Sequence, residues 1–326
     1  MKILVFGSTG FVGRNIVEIL SEKHDVVPVV RRSTINKNRG VIDAFYSKKL
    51  SVRVVNTFSL EELTNTISSE EPDVVIYASG LLTGSWRDLR SVHVDLPSAI
   101  LDAIGKTDPR EKLFVYISST GASRSIDKVL VEEKNHCSHV NELIGGYEKS
   151  KCLGEIEVRE KASRLGINYI ILRPTIMIGR YNTHREWVLL KRISSIGISI
   201  DLSFRLNVLD IEDLVGVIDR LILRRDLYND YYHVASPKTI SFKEISSVLR
   251  EKLGKRSWIR ISDKVIPFLK VIRSILPRGV YRSLIEAIIK GEYIVSVEKL
   301  LSRIDYVFRD PLESFERYFE WLINND

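Results

Sequence analysis

The stretch "GGYEKSKCLGEIE" (145–157) places Tyr147 four residues ahead of Lys151. In a helix that spacing sets both side chains on one face, one turn apart. A phenol with an ordinary pKa near ~10 is a poor base at neutral pH. A neighbouring ammonium favours the phenolate and lowers that value. The pair is therefore suited to moving a proton, although the same spacing also occurs on ordinary solvated helix faces. Of the thirteen tyrosines, only Tyr147 has a lysine at the fourth position after it. A second chemistry-bearing group lies at the start of the chain. In "FGSTGFVGR" (6–14), Gly7, Gly10 and Gly13 recur every third residue. One glycine allows a tight turn, the next leaves room for a phosphate, and the third lets a helix pack against a strand. Helix N-terminal amides then offer partial positive charge to a pyrophosphate.

These groups need elements to hold them. "KILVFG" (2–7) reads as a buried strand, followed at helical period by "VGRNIVEILSEK" (12–23). Strands are expected at 25–32, 51–58, 73–80, 112–120 and 168–174, and helices at 60–70, 96–106 and from Tyr147 onward. Strands alternating with helices indicate an α/β fold with a doubly wound parallel sheet covered on both faces. After about residue 175 the pattern loosens. A helix is expected at 240–254, with Ser241 as N-cap and Glu244 at the capping-box position, and another at 310–323. Residues 262–291 are apolar with interspersed Lys and Arg. Helices packed over a substrate pocket are the favoured reading there, and a membrane-surface helix is the alternative.

Composition bounds the rest. The 326 residues suit one large domain or two intimate ones, with 44% apolar and 28% charged residues. No apolar run approaches the roughly 20 residues of a membrane span. The N-terminus reads as a strand and not as a signal peptide. Two cysteines, Cys137 and Cys152, are too few for a disulfide framework or a Cys-rich metal site, so a reducing cytoplasm is the expected setting. The six histidines lack ligand spacing, and no metal is expected. Net charge is +7, which suits nucleic acid, a membrane or an anionic small molecule; basic residues run along the whole chain with no basic tail, so nucleic acid is not singled out. The absence of glutamine, with abundant Lys, Arg, Glu and Ile, leans toward a thermophilic source.

"GSTGFVG", "DVVIYASG", "YISST", Tyr147-x-x-x-Lys151 and "ILRPTIMIG" occur in the order and spacing of the extended short-chain dehydrogenase/reductase family. "VLDIEDLVGVI" (208–218) and "YYHVASPKTISFKEI" (231–245) resemble its later segments, so the resemblance spans nearly the whole chain. It implies a Rossmann-type domain over 1–175, with later returns near 205–235, and a smaller C-terminal α/β substrate domain over 176–326. It implies NAD(P)-dependent hydride transfer on a sugar nucleotide or a related hydroxyl or keto substrate. Tyr147 would be the acid/base, Lys151 would lower its pKa and hold the ribose, and Thr120 would orient the reacting oxygen. Thr120 shares a strand face with Ser118 by alternation, and Ser119 is the second choice. The dinucleotide would lie on Gly7, Thr9, Gly10, Phe11, Val12 and Gly13, and on Arg31, Arg32, Asn56, Ala78, Ser79, Gly80, Lys151 and Pro174.

Departures from the family pattern refine the expectation. Arg31 ends the second strand where NAD users of the family carry Asp, and Arg32 follows. Guanidinium groups suit a 2′-phosphate, so NADP(H) is favoured and NAD(H) stays open. Asn56 replaces another family Asp. Gly121 and Ala122 stand where 4,6-dehydratases carry an Asp–Glu pair, which argues against that elimination. His93 stands where the family has Asn and is expected to be a satisfied buried histidine. Arg180 and Arg185, with His184, Lys191 and Arg205, are candidates for an anionic substrate. Epimerase and reductase both remain open, and a catalytically silent cofactor-binding protein is the alternative. Relatives dimerise through two helices, here those beginning near 96 and 147, so a homodimer is expected.

Overall fold

Five consecutive apolar or aliphatic-stemmed residues, Lys2–Phe6, form the interior strand β1, buried on both faces as a doubly covered parallel sheet requires. The computed structural model describes residues 1–109, 111–123, 129–130, 137, 146–275, 289 and 292–325. Around β1 run β2 (Asp25–Arg31), β3 (Arg53–Val55), β4 (Val74–Tyr77), β5 (Leu113–Ile117), β7 (Asn168–Pro174) and β11 (Asp230–Val234). Their order across the sheet is β11-β7-β5-β4-β1-β2-β3, with every pair parallel. The chain reverses direction of growth between β1 and β4. A topological switch point of this kind is where doubly wound sheets open a crevice beyond the strand ends.

Helices cover both faces because each carries an apolar stripe. Helices α1 (Phe11–Leu20), α2 (Arg39–Ser47) and α8 (Ile211–Leu221) close one face around Ile16, Phe45, Leu214 and Ile218. Helices α3 (Leu60–Glu70), α5 (Leu96–Gly105) and α6 (Gly146–Leu165) close the other around Leu63, Ile100 and Val158. Between α4 (Trp86–Arg90) and α5 the chain widens into a π-turn at Ser91–Asp95. Such turns recur beside functional sites, and this one carries His93. The sequence reading lacked α2 and α4, and it ran the strands at 51–58 and 112–120 past their ends at Val55 and Ile117.

The second unit is built on β8 (Ile176–Ile178), β10 (Arg205–Asp210), β12 (Thr239–Ser241), β14 (Glu292–Val295) and β6 (Val129–Leu130). Helices α7 (Arg185–Ser195), α9 (Phe242–Leu253) and α12 (Pro311–Asn325) bury Trp187, Leu249, Phe315 and Phe319 against it. Ser241 and Glu244 form the expected capping box. A two-stranded pair, β9 (Ile198–Asp201) with β13 (Ile259–Ser262), leads into α10 (Ile266–Ile275). A short helix, α11 (Glu298–Leu301), follows β14. Residues 276–288, part of the segment read as helices over a pocket, lie outside the described residues.

Cys137 and Cys152 are joined as a disulfide, with Cα atoms 5.5 Å apart. The sequence reading set cysteine pairing aside because two cysteines make no framework. A single link needs only that Cys137 return to α6, and it does.

Candidate active site

The glycine loop is shaped by what its glycines exclude. Gly7 has φ +78°, and a Cβ there would stand 2.6 Å from the Ser79 amide nitrogen. A Cβ on Gly13 would stand 2.1 Å from the Gly7 carbonyl oxygen. Both glycines are therefore required by backbone packing. At Gly10 the nearest atom is the Gly7 oxygen at 3.5 Å, an ordinary contact, so the outer side of the loop stays open. Gly10 caps α1 without any side-chain acceptor, and the first turn holds no acidic residue. The donors at that end keep their positive character for an anion. Ser8 ties the loop to β2 by donating to the Val29 carbonyl at 2.8 Å. Ala78, Ser79 and Gly80 leave β4 alongside Gly7, so the loop and this strand end share one crevice wall. These residues fit a dinucleotide pyrophosphate.

At the far end of β2, Arg31 and Arg32 are both exposed. Arg32 Nε donates to Asn56 Oδ1 at 2.6 Å. Asn56 is itself fixed by Glu62, whose carboxylate accepts its backbone N–H at 2.7 Å and both the backbone N–H and the hydroxyl of Thr57. Those amide hydrogen bonds hold the Glu62 carboxyl below the usual range. Arg31 sets its guanidinium 5.9 Å from the Phe58 ring. Neither arginine lies within ion-pair distance of a carboxylate among the described residues.

Tyr147 and Lys151 occupy the first two turns of α6 on one face, and the helix is aimed at the ends of β5 and β7. Tyr147 is half-buried, and burial pushes its phenol up to about 12, with the Ser119 hydroxyl opposing and Glu148 and Tyr293 adding to the rise. The sequence reading expected a lowering. The difference lies first in the phenol's own burial and then in Lys151, which is buried and donates to the Ile117 carbonyl at 2.8 Å. Burial brings that amine down to about 7, with Glu155 opposing, so much of its charge is lost near neutrality.

The hydroxyls do not follow strand alternation, because β5 ends at Ile117 and a 3₁₀ turn starts at Thr120. Ser118 is buried and bonded to Glu155. Ser119 accepts the Gly121 amide at 3.1 Å and also meets the Tyr147 phenol. Thr120 is buried, donates to the Pro174 carbonyl at 3.4 Å and accepts from the Tyr293 hydroxyl at 3.0 Å. Ser119, Thr120, Tyr147, Lys151 and Pro174 thus converge at the ends of β5 and β7.

Several supporting residues escaped the sequence reading. Glu155 and Arg173 form a buried ion pair beneath this cluster, with an Nη2–Oε2 distance of 2.5 Å. Glu155 lies one turn beyond Lys151, on the same face as Tyr147, and that spacing was a readable signal. Tyr293 had none, being 173 residues from its partner Thr120. Gly154 carried a signal too: a Cβ there would meet the His93 oxygen at 2.1 Å, so only glycine lets α6 close on the π-turn. His93 is fully buried. Its Nε2 accepts the Leu81 amide at 3.1 Å, which assigns the proton to Nδ1, facing Ser150 Oγ at 2.8 Å. Burial brings its pKa down to about 3, so the ring is neutral. Its ring meets Tyr147 edge-on at 5.6 Å.

The basic candidates beyond β7 separate. Arg205 pairs with Glu244 at 3.2 Å, and Lys191 donates to the Leu322 carbonyl, so both serve the second unit's own packing. Arg180 lies 3.7 Å from Glu212 and borders a cavity of about 310 Å³ with Arg317 and Trp321. Its carbonyl accepts from Asn15 of α1, and the His184 ring meets Phe11 edge-on at 5.9 Å. Arg185 is exposed at the start of α7. The structure does not bring Arg180 or Arg185 to the Tyr147 cluster by any direct contact among the described residues.

Known proteins share this fold. A sequence profile of the NAD dependent epimerase/dehydratase family matches residues 3–233. The UDP-glucose 4-epimerase of Vibrio cholerae is 25% identical over 271 residues, which is 79% of this chain and 77% of that protein. Among solved structures, the Bordetella bronchiseptica enzyme WbmG in complex with NAD and UDP superposes with a TM-score of 0.76 at 13% identity, over 99% of this chain and 94% of that one. The UDP-glucuronic acid 4-epimerase of Bacillus cereus, in complex with NAD, gives 0.73 at 15% identity over 99% of each chain. The dTDP-glucose 4,6-dehydratase of Bacillus anthracis, also with NAD, gives 0.75 at 15% identity, over 100% of this chain and 97% of that one.

Proposed function

The chain belongs to the NAD dependent epimerase/dehydratase family, and on that footing we propose that it is a sugar-nucleotide epimerase or reductase with Tyr147 as its acid/base. The observation that carries this reading is the convergence of Tyr147, Ser119, Thr120 and Lys151 beside an open glycine loop at the sheet's switch point. Bound nicotinamide would supply the hydride exchange at a carbinol carbon. The N-terminal amides of α1 would hold its pyrophosphate, and Lys151 its ribose.

The protein's own share is proton handling. With its pKa near 12 the Tyr147 phenol keeps its proton at neutral pH, which readies it to donate to a developing alkoxide. Acting as a base requires the phenolate, which the Lys151 ammonium favours whenever that amine is charged. Ser119 holds the phenol in place, and Thr120 offers a neutral hydrogen bond to the same substrate oxygen. Gly121 and Ala122 supply no acid or base next to Thr120, which speaks against a 4,6-elimination.

Arg31 and Arg32, both exposed and without a carboxylate partner among the described residues, favour a 2′-phosphate and hence NADP(H). The structural relatives named above were solved with NAD, so NAD(H) is the alternative. A UDP sugar is the first substrate class to test, in line with the Vibrio relative. Arg180, beside its cavity, and Arg185, exposed at the start of α7, are the candidates to meet its diphosphate. We read residues 1–175 with the returning β11 as the dinucleotide unit, and most of 176–326 as the substrate unit. A homodimer through α5 and α6 is part of the same reading. The test is purification followed by a panel of UDP sugars and keto-sugars. Tightly retained nicotinamide with interconversion of two UDP sugars marks an epimerase. Consumption of added NADPH with a keto-sugar marks a reductase. Nicotinamide binding with no turnover of any sugar would leave a cofactor-binding protein instead.

A further inference from the structure

Basic residues occur along the whole chain, but their excess over acidic ones does not. Residues 255–275 hold six of the 49 basic residues and only one of the 42 acidic ones. This stretch alone carries +5 of the formal +7. It contains β13, a 3₁₀ turn at Asp263–Val265 and α10. Lys255, Arg256, Arg260, Lys264 and Lys270 are all exposed there. Asp201, at its base, faces Arg250 at 3.5 Å and Arg260 at 4.0 Å. Lys255, Arg256, Lys264 and Lys270 lie within ion-pair distance of no carboxylate among the described residues.

Large apolar side chains are exposed in the same stretch. Trp258 is 88% exposed, Phe268 66% and Ile259 56%. Trp258 is presented by rigid backbone. Its N–H donates to the Gly197 carbonyl at 2.8 Å, and a Cβ on Gly197 would stand 2.0 Å from its ring. Ile196, next to that glycine, is exposed as well, so the two residues make one apolar prominence. Phe268 and Val271 lie three apart on one face of α10 and are both exposed, and Lys264 and Lys270 are exposed in the same stretch.

We propose that this projection docks the protein on an anionic lipid surface. Trp and Phe settle at the headgroup boundary, while Lys and Arg are drawn to acidic headgroups. No helix among the described residues is long and apolar enough to cross a membrane, so the contact is peripheral. A second copy of the chain fits less well, because it would set one +5 stretch against another. A nucleic acid would meet the basic side chains but leave Ile196 and Ile259 in water.

Cosedimentation of the whole chain with vesicles of phosphatidylglycerol and of pure phosphatidylcholine tests this. The partition coefficient on the acidic vesicles should exceed that on the neutral ones at least about tenfold at low salt, and it should fall as salt is raised. A W258S/F268S variant changes only exposed side chains and should keep the parent's circular dichroism while losing about tenfold in partition. Absence of binding at low salt, equal binding to both vesicles, or full displacement by duplex DNA with W258S/F268S unchanged would overturn the proposal. None of these readouts involves dinucleotide or sugar, so they fail or succeed apart from the catalytic reading.

Discussion

Replacing Gly10 and Gly13 separately by alanine should give two different phenotypes. A Cβ at Gly13 would stand 2.1 Å from the Gly7 oxygen, 2.6 Å from its carbonyl carbon and 2.9 Å from Ser8 Cα. All three are backbone atoms, so the loop and α1 must part by about 1 Å. Overpacking of this kind costs about 1–3 kcal/mol, and at about 2 °C per kcal/mol for a chain this long Tm should fall by about 2–6 °C. Gly10 differs. Its φ of −81° and ψ of 169° suit any L-residue, and its nearest neighbour is at 3.5 Å. Gly10→Ala should therefore keep the parent's Tm within about 1 °C. Its methyl would nevertheless stand on the side a pyrophosphate must approach, and dinucleotide affinity should drop at least about tenfold, or ~1.4 kcal/mol. Thermal denaturation followed by circular dichroism and calorimetric titration with NADH and NADPH read the two effects. A Gly10→Ala protein that binds dinucleotide like the parent would refute the placement. A Gly13→Ala protein with the parent's Tm would refute the packing argument.

Lys151 gives a pH prediction. Burial holds its folded-state pKa near 7 against an ordinary 10.5. Below about pH 7 the folded chain buries the ammonium and bears the full penalty; between about pH 7 and 10.5 the unfolded chain binds the extra proton, so stability rises with pH. Lys151→Met should thus raise Tm more at about pH 6 than at about pH 9, and a gain that does not shrink with pH would contradict the burial argument. Glu155→Gln leaves Arg173 buried without its counter-charge and should cost about 3–5 kcal/mol, or ~6–10 °C in Tm; a shift within about 2 °C would show the pair to be unimportant. Joint replacement of Arg31 and Arg32 by alanine should weaken NADPH at least about tenfold while NADH changes far less, and equal losses by calorimetry would remove the 2′-phosphate argument.

Much of the frame was legible because periodicity reports burial directly. The strand read at 168–174 and the helix read at 60–70 match β7 and α3 residue for residue, and Ser241 caps α9 as its spacing with Glu244 required. Helix α2 was not legible, since only Ile42 and Phe45 of its nine residues are buried. The glycine triplet identified the loop, but only packing distances separate the two structural glycines from the open one. At the candidate site, spacing singled out Tyr147 and Lys151 yet missed the direction of the phenol's shift, because the burial of both side chains is a tertiary fact. Thr120 faces where it does because β5 stops at Ile117, and strand alternation does not survive into a 3₁₀ turn. The contact between Tyr293 and Thr120 depends on how a distant strand returns, which no local pattern encodes.

The central claim is that Tyr147 moves the proton while nicotinamide carries the hydride. The most direct test mixes the dinucleotide-loaded protein with the UDP sugars it turns over and follows the near-ultraviolet absorbance of reduced nicotinamide in parent and Tyr147→Phe. The account predicts that the substitution slows this signal by about 10²–10⁴ while leaving dinucleotide affinity unchanged. Reduction at the parent's rate in Tyr147→Phe would contradict it.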